Sequence, residues 1–459
     1  MKQVQFIIIL LAVNVVKLQA QQLLSKEEAL RLTLEQNFGI QMTRNVNEIN
    51  KNNSEVLNSG YLPTVSLAGG ANLTASDSEI EFPGQFLDDG SPRPNANLND
   101  QEAQRYNAGL NVNYTLFDGL GRKFTYKRLK EQYALSELQL RETIEQTLLQ
   151  LFSVYFEVAR LTETTANLKE TLLVSKKRQQ RAESAFSFGQ LNKLAVLNAQ
   201  VDVTNDSINL LQANQQLDNA KRDLNLILNQ PIETDLSVET QLNFISEIQI
   251  EQWLQTAEQF NVTLLQQQSN RQINAYDVKI NQSGYLPTLG LVGSYGWNLN
   301  QNPASAFFPG TSNTTRSLGL GASLSWNLFD GGRTLTRVKN AKIALENQTI
   351  QEEETKLTFE RDLRNAQQNY ENAIKIYEIQ SKQVETGTYN FERSQAQYLL
   401  GSITAIEFRQ AQINLRNAQL QRAAAKYQAK LAELNLIQLS GQQICCSAQY
   451  LTRITAGKG

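Results

Sequence analysis

The sequence predicts an α+β membrane protein in which one structural unit occurs twice, each copy combining two β-strands with a very long helical hairpin. Three observations support this fold class. A Gly-Tyr-Leu-Pro segment begins at Gly60 and again at Gly284, and a Leu-Phe-Asp-Gly segment ends at Gly119 and again at Gly331. Alternating polar and apolar residues join the two segments of each copy, which is the period of a β-strand. Each second segment is followed by roughly 68 residues without proline.

The two copies keep a constant register, which defines the predicted domains. The residue numbers of Asp118 and Asp330 differ by 212, and those of Gly189 and Gly401 differ by the same amount. The two Gly-Tyr-Leu-Pro segments are offset by 224, so the first copy is the longer one between its two segments. A repeat of this kind must be recognised before any fold is assigned. The predicted parts are a signal peptide (1–20), a first repeat (21–230), a linker (231–250), a second repeat (251–440) and a C-terminal tail (441–459).

The composition excludes several classes of function. The net charge of −2 gives no reason to expect a nucleic-acid partner. Histidine is absent, which removes the commonest general base and metal ligand. There is no glycine-rich phosphate loop and no setting for a serine or cysteine nucleophile, and the two Asp-Gly steps fit turns. We therefore expect neither an enzyme nor a cofactor.

The N-terminus has the features of a secretory signal peptide. Lys2 gives a basic start, an apolar run covers 6–16, and Ala20 ends a plausible cleavage site. No later stretch approaches 18 consecutive apolar residues, so no transmembrane helix is expected. The mature chain is therefore expected in an envelope compartment.

The two cysteines, Cys445 and Cys446, are adjacent and lie in the predicted tail. Neighbouring residues rarely reach good disulfide geometry, so they do not form a disulfide framework. The sequence assigns them no role.

The first repeat begins with a predicted helix from about Lys26 to Asn58. Ser25 and Glu28 have the spacing of a capping box at its start. Gly60 ends the helix, and the following proline prevents its continuation.

The predicted strands each have one apolar and one polar face. Residues on the apolar faces are Val65, Leu67, Ala71, Leu73, Tyr106, Ala108, Leu110, Val112, Tyr114, Leu291, Tyr295, Trp297, Leu299, Leu318, Leu320, Ala322, Leu324 and Trp326. The opposite faces carry mainly Gly, Ser, Asn and Thr. A soluble sandwich would bury the apolar face, whereas an outer-membrane barrel would turn it to lipid.

The barrel is the better interpretation of these strands. They are about ten residues long, which is the length needed to cross a bilayer at a tilt. The polar faces hold few of the Lys and Glu residues expected on a solvated sheet. Four aromatic residues near strand ends are candidates for the girdles of a barrel: Tyr106, Tyr114, Trp297 and Trp326.

Four strands cannot close a barrel, because the smallest known barrels have eight. An open sheet edge in lipid would leave backbone N–H and C=O groups without partners. Several protomers must therefore share one barrel. Two protomers would supply eight strands and three would supply twelve, with room for a channel.

The proline-free stretches predict helices of about 100 Å at 1.5 Å per residue. They end at tips formed by Phe188, Gly189 and Gln190 and by Leu400, Gly401 and Ser402. After each tip the pattern becomes heptad-like, with small residues along one seam. These seam positions are Ala199, Asp206, Ala213, Ala220, Ala411, Ala418, Ala425 and Ala432. Heptads favour a left-handed coiled coil, and alanine lets helices approach closely.

Taken together, these segments resemble the TolC-type outer-membrane efflux proteins over essentially the whole mature chain. The resemblance rests on the paired strand and helix motifs, on the two tips, and on the Ala-Gln steps at Ala199 and Ala411. It implies a homotrimer with a twelve-stranded barrel in the outer membrane and a helical coiled-coil tunnel across the periplasm. It also implies a periplasmic adaptor at the tips, an inner-membrane transporter as the source of energy, and no cofactor.

The resemblance also indicates where a periplasmic gate would lie. An acidic residue of the constriction falls on Glu407, a second acid falls on the neutral Gln410, and a gate tyrosine falls on Tyr398. The family's arginine that ties the closed state falls on Ile403, and its acidic partner falls on Ala195. This chain therefore departs from the family's ionic lock. The second copy alone keeps gate residues and is expected to carry the gate.

We hypothesise that three Glu407 side chains form the narrowest charged ring of the channel. Like carboxylates brought together attract cations and raise one another's pKa. The alternative is an ordinary solvated surface glutamate.

The resemblance implies an outer-membrane exit channel of a tripartite efflux or type I secretion system, which passes substrates from the pump and the adaptor to the exterior. A trimeric coiled-coil, envelope-spanning stalk or adhesin without transport is the alternative function. Such proteins usually place one barrel at a terminus, whereas here two strand hairpins alternate with helices. The sequence does not identify the transported substrate, the pump or the adaptor, and it leaves drug efflux and protein secretion open.

Overall fold

The computed structural model describes residues 22–304 and 309–442 of the chain. The predicted signal peptide (1–20), Cys445 and Cys446 lie outside the described residues. The inferences drawn about them remain predictions.

The described residues form eight α-helices and six β-strands. The helices are α1 (Lys26–Gln36), α2 (Phe38–Asn53), α3 (Gly121–Ser187), α4 (Lys193–Ile227), α5 (Glu247–Phe260), α6 (Val262–Ser283), α7 (Arg333–Leu399) and α8 (Ala405–Leu439). The strands are β1 (Gln22–Leu24), β2 (Thr64–Ile80), β3 (Ala96–Asp118), β4 (Leu236–Val238), β5 (Thr288–Asn302) and β6 (Thr311–Ser325). Helices α3 and α7 have 67 residues each, close to the predicted length.

The chain divides into two compact units, each built from both repeats. The sheet unit consists of Ile49–Ala134 and Ser269–Ile350. The helical unit consists of the described parts of Met1–Glu48, Leu135–Gln268 and Gln351–Gly459. The folded units therefore cut across the sequence repeats, and the division into repeats remains a prediction about the duplication.

The predicted first helix is in fact two helices, because Asn37 interrupts it. The Asn37 Oδ1 accepts hydrogen bonds from Gly39 N at 2.9 Å and from Ile40 N at 3.3 Å, which caps α2. Asn261, its counterpart in the second repeat, separates α5 from α6 in the same way, and its Oδ1 accepts from Leu264 N at 3.1 Å. The side-chain amide of each asparagine donates to the last residue of a long helix. Asn37 donates to Ile227 O and Asn261 to Leu439 O, each at 3.1 Å.

The sheet unit contains one antiparallel sheet in the order β2-β3-β5-β6. Leu67, Leu110, Tyr295 and Leu318 pair in one continuous row, so the predicted apolar face is confirmed. The strands have 15 to 23 residues rather than ten. The extra length arises because strand pairing continues beyond the alternating stretches, as far as the pair of Ile80 and Ala96 in β2 and β3.

The two Leu-Phe-Asp-Gly segments differ in structure. In the first copy, β3 continues to Asp118, which pairs with Thr288 at the start of β5. In the second copy, β6 ends at Ser325, where it also pairs with Thr288. Trp326 therefore lies beyond the strand, and its Nε1 donates to Tyr285 O at 3.1 Å.

The predicted irregular linker contains a short strand. Strand β4 pairs in parallel with β1 and forms a separate two-stranded sheet. The Tyr155 hydroxyl donates to Leu24 O at 2.8 Å and accepts from Glu239 N at 3.1 Å, so one side chain of α3 fixes both strands of this sheet. The sequence did not reveal this sheet, because three residues give no readable period.

The core of the helical unit lies between the long helices. Leu151, Tyr155 and Phe156 of α3 pack with Leu224 of α4 and Tyr427 of α8, and all five are buried. Burial of each such side chain stabilises the fold by about 1.5–3 kcal/mol. This packing is what keeps the three long helices together.

Candidate functional site

The two hairpin tips have the same backbone geometry. Gly189 and Gly401 adopt φ values of 73° and 75°. The N–H that follows each glycine donates to a carbonyl oxygen five residues earlier, at 2.8 Å from Gln190 and at 2.9 Å from Ser402. This is the Schellman pattern that ends a helix, for which glycine is favoured.

Each tip presents one large apolar side chain to solvent. Phe188 is 79% exposed and Leu400 is 82% exposed. Leu191 and Leu399 near them are also exposed, and groups of exposed apolar side chains, unlike single ones, mark interaction sites. The predicted contact of both tips with an adaptor therefore stays a prediction with a physical basis.

The helices that follow the tips begin with different caps. Asn192 caps α4 by accepting from Ala195 N at 3.0 Å. Thr404 caps α8, where the Glu407 Oε2 also accepts from Thr404 N at 2.7 Å and from its hydroxyl at 2.8 Å. Glu407 thus completes a capping box, which Ala195, the corresponding residue of the first copy, cannot do. Hydrogen bonds from the Thr404 backbone and side chain lower the pKa of the exposed Glu407 carboxyl.

The predicted gate tyrosine belongs to an aromatic stack. Phe408, the buried neighbour of Glu407, stacks on Tyr398 with centroids 4.9 Å apart and on Phe391 at 5.5 Å. The Arg181 guanidinium lies 5.2 Å from the Tyr398 ring centroid, and its Nη2 donates to Leu399 O at 2.8 Å. The start of α8, the end of α7 and α3 are therefore connected at this point.

Gln410, the third predicted gate residue, is exposed and donates to Asn414 Oδ1 at 2.8 Å on its own helix. Ile403 and Ala195 carry no charge that could form the family's ionic lock. The structure thus brings Tyr398 next to the neighbour of Glu407 and leaves Gln410 outside this contact. The role of all three as a gate stays a prediction.

A buried polar group near the gate was missed by sequence reasoning. We call it the Asp206 cluster, and it consists of Asp206, Ser175, Arg409, Gln412 and Arg416. The Asp206 carboxylate is 1% exposed and accepts from Arg409 Nη1 at 2.7 Å and from Arg409 Nη2 at 2.9 Å. It also accepts from Ser175 Oγ at 2.6 Å and from Arg416 Nη1 at 3.5 Å. The available signal was one aspartate in a heptad seam of alanines.

The charges of this cluster hold it in its ionised state. Burial raises the pKa of Asp206, but hydrogen bonds from Arg409 and Ser175 outweigh it, so its pKa lies below the ordinary range. Next to the cluster, the buried Arg178 donates to Asp202, whose Oδ1 lies 3.4 Å from Arg409 Nε. Burial lowers the pKa of Arg178. Five charged groups are thus packed between α3, α4 and α8.

The predicted girdle residues occupy different positions. Tyr106, Tyr114 and Trp297 lie in β3 and β5 and are partly exposed, whereas Trp326 lies beyond β6. Their contact with lipid stays a prediction. None of the described helices is long and apolar enough to cross a membrane. In the same residues, no group of three or more Asp, Glu, Cys or His side chains is placed to hold a metal ion.

Comparison with known proteins identifies the family. The model of the outer membrane efflux protein family matches residues 17–230 and 253–442, which is more than half of the chain. The chain belongs to the outer membrane efflux protein family. It is 24% identical to the outer membrane protein TolC of Escherichia coli (strain K12) over 339 residues, which cover 72% of this chain and 68% of TolC. It is 21% identical to TolC of Vibrio cholerae serotype O1 over 401 residues, which cover 87% and 86% of the two chains.

A solved structure shows the same fold. The chain matches the Campylobacter jejuni CmeC outer membrane channel with a TM-score of 0.72 and 16% identity, covering 91% of this chain and 85% of CmeC. The predicted fold class of a helical tunnel with a trimer-shared barrel is confirmed. The predicted outer-membrane location, with extension into the periplasm, is also confirmed. Efflux proteins of this family are channels, so the stalk or adhesin alternative is not favoured.

Proposed function

We propose that three copies of this chain form the outer-membrane exit channel of a tripartite efflux or type I secretion system. The observation that carries this proposal is the four-stranded sheet with one continuous apolar face. In the part of the chain that the structure describes, β2 and β6 each pair on one side only. Unpaired N–H and C=O groups are not tolerated in lipid, so β6 of one copy pairs with β2 of the next.

The internal repeat supplies the register of this pairing. Thr64 pairs with Asn113, and their counterparts Thr288 and Ser325 also pair, so both offsets of the repeat hold within the sheet. Across the repeat boundary, Ala108 of β3 pairs with Trp297 of β5. By the same offsets, Leu320 of one copy would lie opposite Leu73 of the next. Both residues lie on the apolar face, as a continuous lipid-facing surface requires.

The opposite face of the sheet fits a water-filled lumen. Asn107 pairs with Asn298 and Gly109 pairs with Gly296, so small and amide residues form rows on this face. Twelve strands leave space for a channel inside the barrel. Such a lining carries solutes of many kinds, and substrate choice then belongs to the pump.

The exposed tips suit an adaptor that joins the channel to an inner-membrane transporter. Phe188 and Leu400 project from turns of the same geometry, so one kind of adaptor surface would fit both. The adaptor would take this apolar area out of water, worth about 25 cal/mol per Å² buried.

Disulfide trapping tests the proposed seam. In a Cys445→Ser/Cys446→Ser background, Leu320→Cys with Leu73→Cys should give covalent dimers and trimers on non-reducing gels, because paired Cα atoms are about 4.5–5.5 Å apart. Leu320→Cys with Leu67→Cys is the matched control, since its partner is displaced by about 20 Å along the strand. Linked trimers from the control pair alone would contradict the register.

Conductance tests the channel itself. Purified wild-type trimer in planar bilayers should give discrete ion-conducting steps, and in liposomes it should release a small trapped dye. A trimer that forms the disulfide seam but stays sealed, even after the tips are removed, would overturn the exit-channel proposal and support a stalk.

A further inference from the structure

The Asp206 cluster occurs in only one of the two equivalent positions of the repeat. The counterpart of Asp206 is Ala418, which is buried. The counterparts of Arg409 and Arg416 are Leu197 and Thr204, both exposed. The duplication therefore does not require these charges, and the chain has acquired them where α8 meets α3 and α4.

A single charged residue in an alanine seam is costly, and the best-attested use of such a residue is to fix helix register. One polar residue at a core position of a coiled coil fixes helix register and partner choice at a cost in stability. Asp206 receives both nitrogens of the Arg409 fork, which fixes distance and orientation together. The Gln412 amide adds bonds to Thr171 O at 2.9 Å and Ser175 Oγ at 3.0 Å. Helix α8 is thus held against α3 in a defined axial register.

The cluster lies close to the predicted gate along α8. Arg409 is two residues from Glu407 and adjacent to Phe408, which stacks on Tyr398. A shift of Arg409 must therefore move the capping box and the aromatic stack. The family's own lock positions, Ile403 and Ala195, are uncharged here.

Loss of the Asp206 charge would turn attraction into repulsion. Arg409 and Arg416 both face this carboxylate, and Arg178 adds a third cation, which pairs with Asp202. Without Asp206, these three guanidinium groups would have one carboxylate left among them, that of Asp202, which contacts Arg178 and Arg409. Like charges in a poorly solvated site repel strongly, which would push the start of α8 away from α3 and α4.

We propose that the Asp206 cluster positions the first turns of α8 and thereby keeps the periplasmic aperture narrow. Asp206, Arg409 and Arg416 act as positioning residues, since they reach the aperture through Glu407 and Phe408. The proposal rests on the proposed function, because it assigns the control of the same channel.

Single-channel recording of Asp206→Asn tests the proposal. The amide has the shape of the carboxylate but no charge, so it leaves a buried guanidinium unpaired. One unpaired buried charge shifts the equilibrium between a narrow and a wider aperture by about tenfold or more. The mean conductance per trimer should therefore rise about twofold or more. Asp206→Glu keeps the charge and should return the conductance towards the wild-type value. Arg409→Lys keeps the charge but loses the fork, and it should give an intermediate increase.

The matched control is Glu433→Gln, which removes another buried carboxylate from α8. Glu433 is 0% exposed, pairs with Lys430 and accepts from Ile245 N at 3.1 Å, far along the helix from the gate. Its loss should lower the thermal midpoint and leave the conductance unchanged. If Glu433→Gln raises conductance as much as Asp206→Asn does, general destabilisation is the cause and the proposal is wrong.

Two further outcomes separate this proposal from the proposed function. If wild-type trimers conduct and the Asp206→Asn and Arg409→Lys trimers have the same conductance, the positioning role alone is overturned. Sealed particles for wild type, for every variant and for trimers without their tips would overturn both. If Asp206→Asn fails to assemble, Arg409→Lys decides, because it retains every charge of the cluster.

Discussion

The turn at Gly119 and the turn at Gly331 have the same sequence but different surroundings. Gly119 is buried, and a Cβ added to it would lie 2.4 Å from Ser283 O, in the second repeat of the same chain. Gly331 is exposed with no described atom within 4 Å of such a Cβ, and Phe329 beside it is 86% exposed. The counterpart of Ser283 in the first repeat is Ser59. The turn at Gly119 is thus packed within the protomer, whereas the equivalent turn at Gly331 is open.

The largest expected effect comes from adding a side chain at the packed turn, at Gly119. Gly119→Ala adds a methyl group against a backbone oxygen at a φ of 68°, so we expect a loss of about 3 kcal/mol or more from overpacking and left-handed strain. Gly331→Ala, at a φ of 70°, should cost the folded protomer only about 1–2 kcal/mol. Thermal unfolding followed by circular dichroism measures the difference.

The same pair of variants tests whether the open turn at Gly331 lies at a trimer interface. If Gly331 packs against a neighbouring copy, Gly331→Ala should lower the temperature at which the trimer dissociates, although the protomer folds normally. Trimers of Gly331→Ala that resist heat as well as wild type would show that this turn is not at the interface.

An effect smaller than that of Gly119→Ala is expected from the two asparagines that interrupt helices, and it should be about the same at both positions. Asn37→Ala and Asn261→Ala each remove a helix cap and a donor to a helix end, so each should cost about 1–2 kcal/mol. Urea unfolding measures both losses of stability, provided that the free energy of unfolding depends on urea concentration with the same slope in all variants. Asn→Asp at the same positions keeps the cap oxygen and should retain part of the stability. If only one of the two alanine variants lowers the free energy of unfolding, the two asparagines do not share this role.

These contrasts explain how far the sequence could predict the fold. The predicted helix from Leu120 to Ser187 begins at Gly121 in the structure, because a proline-free stretch bounded by turn glycines has few alternatives. Strand faces were also predictable, since their period is two. The interruption at Asn37 was not, because one asparagine is compatible with a helix and the deciding bond goes to Ile227, in a distant part of the chain.

The candidate site was predictable only in part. The tips at Gly189 and Gly401 follow from local chemistry that a short window contains. The Asp206 cluster joins residues of α4 to residues of α8, far apart in the chain, which no local pattern reports. The capping box of Glu407 can be predicted from the spacing of Thr404 and Glu407. Its effect on the pKa of the carboxyl group, however, depends on the geometry of the hydrogen bonds.

The smallest expected effect concerns Glu407, which has no charged counterpart in the first repeat. Because Thr404 lowers the pKa of Glu407, the carboxylate is ionised above the ordinary value of 4.5 and loses its charge only as the pH falls through the lower value. Cation preference of the channel should therefore stay constant from about pH 8 to pH 5 and decline below. Reversal potentials in a salt gradient measure it, with Glu407→Gln as the uncharged control and Ala195→Glu as a variant with a second ring of carboxylates. A decline between about pH 7 and pH 5 in wild type, absent in Glu407→Gln, would show that repulsion within a ring of three carboxylates outweighs the capping box.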